Sequence, residues 1–266
     1  MKLACQEHLV PGHTLEEKVD WLARHGFSGI ELWAFDIRER VKEIQAVFRG
    51  SPIAVTSLVG GYDGHLFHPS AQERETAIAG VRRLIGYAGE IGAGGVVIVP
   101  AFGIPRSPGV LTPHPPATPE EIASFGETLG QLALAAEDAG VSLFAEVINR
   151  YESPAFNTVS EMVRAMDVSG SSRLKLLVDT FHMNIEEHSL SGVIAQHLPR
   201  IGYVHLSDSN RRVPGRGHLD FGQVLRSLQA GGYAGYLTLE CFLESAFDLL
   251  NARDYLLRLW KAGDSS

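Results

Sequence analysis

Four residues at the ends of short apolar runs could do chemistry together. Glu146 closes Leu143-Phe144-Ala145-Glu146, Asp179 closes Leu176-Leu177-Val178-Asp179, His205 sits in Tyr203-Val204-His205-Leu206, and Glu240 closes Leu237-Thr238-Leu239-Glu240. Taken singly, an acid at the end of a strand reads as a helix cap or an ion-pair partner, and a histidine in an apolar strand as a satisfied core residue. Their separations of 33, 26 and 35 residues (179−146, 205−179, 240−205) are each about one strand–helix unit, so all four would converge on one place. Buried carboxylates need compensation, and a shared cation supplies it for three of them at once. Three carboxylates and one imidazole form a hard, mostly oxygen donor set that suits Mn²⁺, Mg²⁺ or Co²⁺ better than a His/Cys-rich zinc site. Six-coordination would leave two positions for water or substrate oxygens, which points to a vicinal hydroxy-carbonyl substrate.

The elements that must carry these residues follow from hydropathy. Strand-like runs occupy Lys2 to Cys5, Gly29 to Trp33, Ile53 to Leu58, Gly95 to Pro100, Ser142 to Val147, Lys175 to Val178, Gly202 to Leu206 and Gly235 to Leu239. Helix-period segments alternate with them: Thr14 to His25, Ile37 to Arg49, Ala71 to Ile91, Thr118 to Ala139, Thr158 to Asp167, Leu190 to His197, Phe221 to Ala230 and Glu244 to Trp260. Strict alternation forces parallel strands joined by right-handed crossovers. Eight units of about 33 residues (266/8) predict an α/β fold, a single-domain (β/α)8 barrel over residues 1–266, with the site at the carboxyl ends of strands five to eight. Glycines at 26, 92, 140 and 232 fall where helices hand back to strands and are read as structural caps. The stretch from Phe102 to Ala117, with five prolines, is read as a rim or lid loop.

Composition narrows the partners. The formal charge of −8 argues against a broad hold on nucleic acid or anionic lipid, and no apolar stretch approaches the length of a membrane span. With no signal-like segment at the N-terminus and only Cys5 and Cys241, the expectation is a cytoplasmic protein with reduced, half-buried thiols. No dinucleotide fingerprint, Walker motif or nucleophile elbow is present in the sequence.

The stretches 145–152, 179–187 (Asp-Thr-Phe-His-Met-Asn-Ile-Glu-Glu), 205–221 (containing Ser-Asn-Arg-Arg-Val-Pro-Gly-Arg-Gly-His) and 239–242 resemble the sugar (phosphate) isomerase/epimerase family of xylose-isomerase-like TIM barrels. Within it they are most similar to ketose 3-epimerases of the D-tagatose/D-psicose type. The likeness runs from about Phe144 onward; the first half matches only as a generic barrel. The resemblance implies that Glu146 and Glu240 are both metal ligands and the acid/base pair, that Asp179 and His205 complete the ligand set, and that Glu152, His182 and Arg211 contact substrate hydroxyls. It implies a small-molecule sugar substrate and a homo-oligomer, dimer or tetramer. Cys241 departs from the family, where a proline often follows the second glutamate.

The expected reaction is epimerisation by deprotonation and reprotonation through a cis-enediolate, one glutamate acting on each face of the sugar. Returning the proton to the neighbouring carbon would give aldose–ketose isomerisation, of the hydroxypyruvate type for a short keto acid, and a similar ligand set serves polyol or keto-acid dehydratases. An endonuclease-type metal hydrolase recruiting His65, His68, His182 and His218, and a non-catalytic sugar-binding barrel, are the remaining alternatives. Arg212 and Arg216 read as solvated loop residues and His218 as a structural one. Trp33, Phe35, Phe102 and Phe242, at or beyond strand ends, could wall the pocket.

Overall fold

A computed structural model describes residues 1–104, 111–245 and 247–263. Its strands are β1 (Lys2–Gln6), β2 (Gly29–Trp33), β3 (Ala54–Val59), β4 (Gly95–Ile98), β5 (Ser142–Glu146), β6 (Leu174–Asp179), β7 (Ile201–Leu206) and β8 (Tyr236–Leu239). Each pairs in parallel with its neighbour in chain order, and β1 closes on β8 from Lys2–Tyr236 to Cys5–Leu239. The closed barrel is the expected one, with strand ends within two residues of their predicted positions.

The helices are α1 (Leu15–Arg24), α2 (Ile37–Phe48), α3 (Ala71–Ile91), α4 (Pro119–Asp138), α5 (Val159–Ser169), α6 (Thr180–Glu186), α7 (Leu190–His197), α8 (Phe221–Ala230) and α9 (Phe247–Gly263). Thr14, Thr118 and Thr158 each form a reciprocal capping box with the glutamate three residues on, which sets where α1, α4 and α5 begin. Gly26, Gly92, Gly140 and Gly232 all hold φ between +72° and +74°, the left-handed turn that hands a helix back to a strand. Only α6 is absent from the sequence reading: its seven residues are too short to show a helical period, and it starts on the Asp179 side chain, which accepts from Phe181 N at 2.7 Å.

Apolar residues between strands and helices form the main core, while Val97, Phe144, Leu177 and Tyr203 fill the barrel interior. Tyr203 stacks on Phe144, and its hydroxyl meets Thr56 Oγ1, Ser57 Oγ and Thr238 Oγ1 at 2.6, 2.9 and 2.7 Å. Because Tyr203 precedes His205 by two residues on β7, this layer lies about 7 Å deeper and makes the floor of the site. Cys5, in β1, and Cys241, two residues beyond β8, are both buried in the core rather than half-buried as expected from composition. The rim-loop reading of Phe102 to Ala117 falls partly on 105–110, which lie outside the described residues.

Candidate metal centre

The barrel brings Glu146, Asp179, His205 and Glu240 together at its carboxyl mouth: one donor atom from each lies within 4.8 Å of all the others. Consecutive strands deliver them, since β5, β6 and β7 end or nearly end on the first three and Glu240 directly follows β8. Asp179 and His205 are register partners across β6 and β7, which puts their side chains side by side.

Hydrogen bonding orients the imidazole. His205 Nε2 lies 3.2 Å from both carboxylate oxygens of Glu31, a wholly buried residue of β2, so its N–H donates outward to that carboxylate. The opposite nitrogen, Nδ1, faces Glu240 Oε2 at 2.8 Å and Glu146 Oε1 at 3.2 Å. A lone pair aimed at two carboxylates is repulsive, so the site requires either an imidazolium or a cation in front of Nδ1. Among the described residues, Glu240 Oε2 is a buried oxygen with no formed hydrogen bond, although Arg211 Nη2 stands 3.2 Å away. An orphaned carboxylate oxygen, an oriented imidazole nitrogen and two further acids fit a divalent cation of the oxygen-preferring kind.

Burial drives the Glu146 carboxyl up, against the pull of His205, with Glu240 adding repulsion. Burial also opposes charge on Glu240, but His205 and Arg211 outweigh it and hold this carboxyl well below the usual range. On His205, burial is overcome by Glu240, Glu31 and Glu146, which hold the ring well above the ordinary imidazole value.

The expected substrate residues stand around the same place. Asn149 Oδ1 accepts from Tyr151 N at 2.9 Å, which fixes the amide orientation; its Nδ2 then donates to Glu152 Oε1 at 2.9 Å and to His182 Nδ1 at 2.6 Å. His182 therefore carries its proton on Nε2, 3.7 Å from Asp179 Oδ2 and 3.9 Å from Glu146 Oε1. Arg211 holds a left-handed backbone (φ +61°), and its guanidinium reaches Asp179 Oδ2 at 2.5 Å while lying over the Phe181 ring. Buried Asp208 shapes that loop by accepting from Ser209 N, Gly215 N and Leu219 N.

Glu152, His182 and Arg211 join Glu146 and Glu240 in lining one cavity of about 520 Å³, whose other walls include Trp33, Phe35, Phe102 and His65. Phe242 does not line it and is exposed, and His68 is turned to its own loop, where Nδ1 accepts from Ser70 N. His218 caps its loop through Ser209, whereas Arg212 and Arg216, expected as solvated loop residues, are exposed but ion-paired, to Glu244 and to the buried Asp248.

Sequence reading missed Glu31, Gln6 and Asn149. Gln6 Nε2 bridges Glu31 Oε1 at 2.7 Å and Glu240 Oε1 at 2.9 Å, and Ser57 Oγ donates to Glu31 Oε2 at 2.5 Å. The signal for Glu31 was present in Gly29-Ile30-Glu31-Leu32-Trp33: an acid inside an apolar strand, not at its end.

A closed parallel barrel with an acid-and-histidine cluster at its carboxyl mouth defines the class of TIM-barrel scaffolds that carry their chemistry on the strand ends. Within that class, the chain belongs to the xylose isomerase-like TIM barrel family, which matches residues 19–259. It is 27% identical over 242 residues, 90% of this chain and 92% of the relative, to 3-dehydro-D-guloside 4-epimerase of Escherichia coli. It is 40% identical to D-psicose 3-epimerase of Enterocloster bolteae over 115 residues, 43% of this chain but only 38% of that protein. Among solved structures it superposes on E. coli 3-keto-D-glucoside 4-epimerase with a TM-score of 0.88 at 25% identity, covering 97% of this chain and 99% of the other. These relatives are epimerases, that is, isomerases.

Proposed function

We propose that this protein is a divalent-metal-dependent sugar epimerase that inverts the carbinol carbon beside a keto group, with ketose 3-epimerisation as the first reading. One observation carries it: Glu146, Asp179, His205 and Glu240 present four donor atoms within 4.8 Å on a cavity that Glu152, His182 and Arg211 also line. In this reading the four hold Mn²⁺, with Mg²⁺ or Co²⁺ as substitutes. When bound, the cation supplies Lewis acidity that makes the carbon-bound proton removable.

The chain's own residues do the rest. Glu146 and Glu240 rise from β5 and β8, three strands apart in a ring of eight, and so reach a sugar held between them from opposite sides. One carboxylate takes the proton, leaving a cis-enediolate, and the other returns a proton to the far face. His182 presents its Nε2–H to the oxygen that gains charge, and Glu152 and Arg211 orient neighbouring hydroxyls. Asn149 keeps His182 and Glu152 in step by donating to both.

A second reading, epimerisation of a keto-glycoside at C4, is favoured by the relative that aligns over 92% of its length, a 3-dehydro-D-guloside 4-epimerase. The same residues serve both, because the readings differ only in which carbon stands between the glutamates. The test is a panel of free ketoses and 3-keto-glucosides in D₂O with Mn²⁺, Co²⁺ or chelator. Deuterium incorporation at one carbinol carbon with formation of the epimer, lost with chelator and in Glu240→Gln, is the expected result. Absence of metal-dependent exchange in every keto sugar refutes the epimerase.

A further inference from the structure

We infer that the mouth of the cavity is a second subsite, built by Trp33, Phe35 and Phe102, which receives a ring-shaped substituent glycosidically attached to the reacting sugar. The inference rests on the epimerase reading of the inner site and adds the class of substrate that fills the outer one.

The cavity is larger than one sugar. Six hydroxymethine units of about 30 Å³ each, the share of a water molecule, give a hexose roughly 180 Å³. The cavity is about 520 Å³, so a single hexose leaves most of it to water. The lining is also layered along β2. Glu31 faces His205 at the level of the acid cluster, and Trp33, two residues on, lines the cavity about 7 Å further out. A sugar held between Glu146 and Glu240 therefore has a layer of aromatic wall above it.

This wall is held in place while its faces stay open. Trp33 rests on His8 (ring centroids 4.6 Å apart) and meets Phe35 edge-on at 5.6 Å. Phe35 in turn lies against Gly60, where any side chain would touch its ring. Yet Trp33, Phe35 and Phe102 remain 41%, 72% and 57% exposed. Isolated exposed aromatics need no explanation, but three around one cavity mouth form a patch that binding would cover. Aromatic faces take the C–H face of a pyranose or the ring of an aryl group and offer nothing to free hydroxyls. Asp63 and His65, on the same rim, supply the polar contacts that a second ring would need.

The experiment is isothermal titration of the Mn²⁺-loaded protein with phenyl and methyl β-D-glucopyranoside, alongside Trp33→Ala, Phe35→Ala and, as a distant surface control, Leu134→Ala. The phenyl glycoside is expected to bind at least tenfold more tightly than the methyl glycoside. That margin should fall below threefold in Trp33→Ala and in Phe35→Ala and persist in Leu134→Ala. Equal affinities, no binding of either glycoside, or a margin that survives both rim substitutions overturns the subsite. Deuterium exchange into the keto sugars, run in parallel, separates the two claims: exchange without an aglycone preference overturns the outer subsite alone, whereas no exchange overturns the inner-site reading.

Discussion

Replacing Glu31 by Gln should weaken metal binding without unfolding the barrel. In the wild type, the Glu31 carboxylate sits 3.2 Å from His205 Nε2, with neither residue exposed to solvent. A buried imidazole that gives its outer N–H to a carboxylate is a better donor at its inner nitrogen and is locked in one tautomer. A hydrogen bond to a charged group contributes about 1.5–3 kcal/mol and a neutral one about 0.5–1.5, so the substitution removes about 1–2 kcal/mol from the ligand set. That corresponds to about a 5- to 30-fold rise in the metal Kd, overlapping the lower part of the range of about 10- to 100-fold known for such outer partners. The amide keeps the size of the carboxylate and can accept from either Gln6 Nε2 or Ser57 Oγ, so the fold survives. The assay is a Mn²⁺ titration against a fluorescent chelator, with a melting curve of the metal-free protein as control. A Kd within twofold of wild type, at unchanged stability, would refute the argument that Glu31 positions His205.

Metal removal should lower thermal stability: a cation at 100 times its Kd adds about 2.7 kcal/mol, which for a domain of this size is about 5–10 °C in Tm by scanning calorimetry. A chelator that leaves Tm unmoved counts against a resident ion. Asp248 opens α9 by accepting from Glu244 N and Ser245 N at 2.8 and 3.0 Å; burial opposes its charge, but these amides and Arg216 outweigh it and lower its pKa from 3.8. A depressed carboxyl pKa stabilises fully above the unfolded value and loses that contribution as pH falls through the folded one, so Asp248→Asn should cost about 1 kcal/mol at pH 7. In urea melts across pH the gap should close below about pH 4; a constant gap refutes it. Asp208→Ala frees three loop amides and should raise trypsin cleavage at Arg211, Arg212 and Arg216 while lowering kcat/KM at least tenfold, because the strained Arg211 backbone depends on that loop. Unchanged cleavage would show that the loop is held by other contacts.

How much of this could be read from the chain depends on where each residue stands in its strand. Glu146, Asp179 and Glu240 interrupt apolar runs at their ends, where a barrel gathers its chemistry, so their spacing alone placed them together. Glu31 carries the same kind of charge but sits two residues inside β2, between Ile30 and Leu32, where strand alternation reads it as a solvent-facing residue. That inference fails in a closed barrel, since both faces of every strand are covered and an inward polar residue must find partners from distant strands. Gln6 from β1, Ser57 from β3 and His205 from β7 are those partners, and no local pattern announces a network that spans 25 to 174 residues of separation. The helix α6 escaped for the opposite reason: about two turns directly after a strand offer too few residues for a period, and its cap, Asp179, reads as a member of the cluster. The division of labour explains both outcomes. Strands β5 to β8 hold an acid-and-imidazole set whose chemistry constrains residue type and spacing, whereas β1 to β4 supply a supporting shell and an aromatic wall, which packing constrains only in aggregate. In the proposed outer subsite, preference for the attached ring falls to Trp33, Phe35 and Phe102, which come from the half of the chain in which single residues are hardest to read, and substitutions there should change which glycoside is bound.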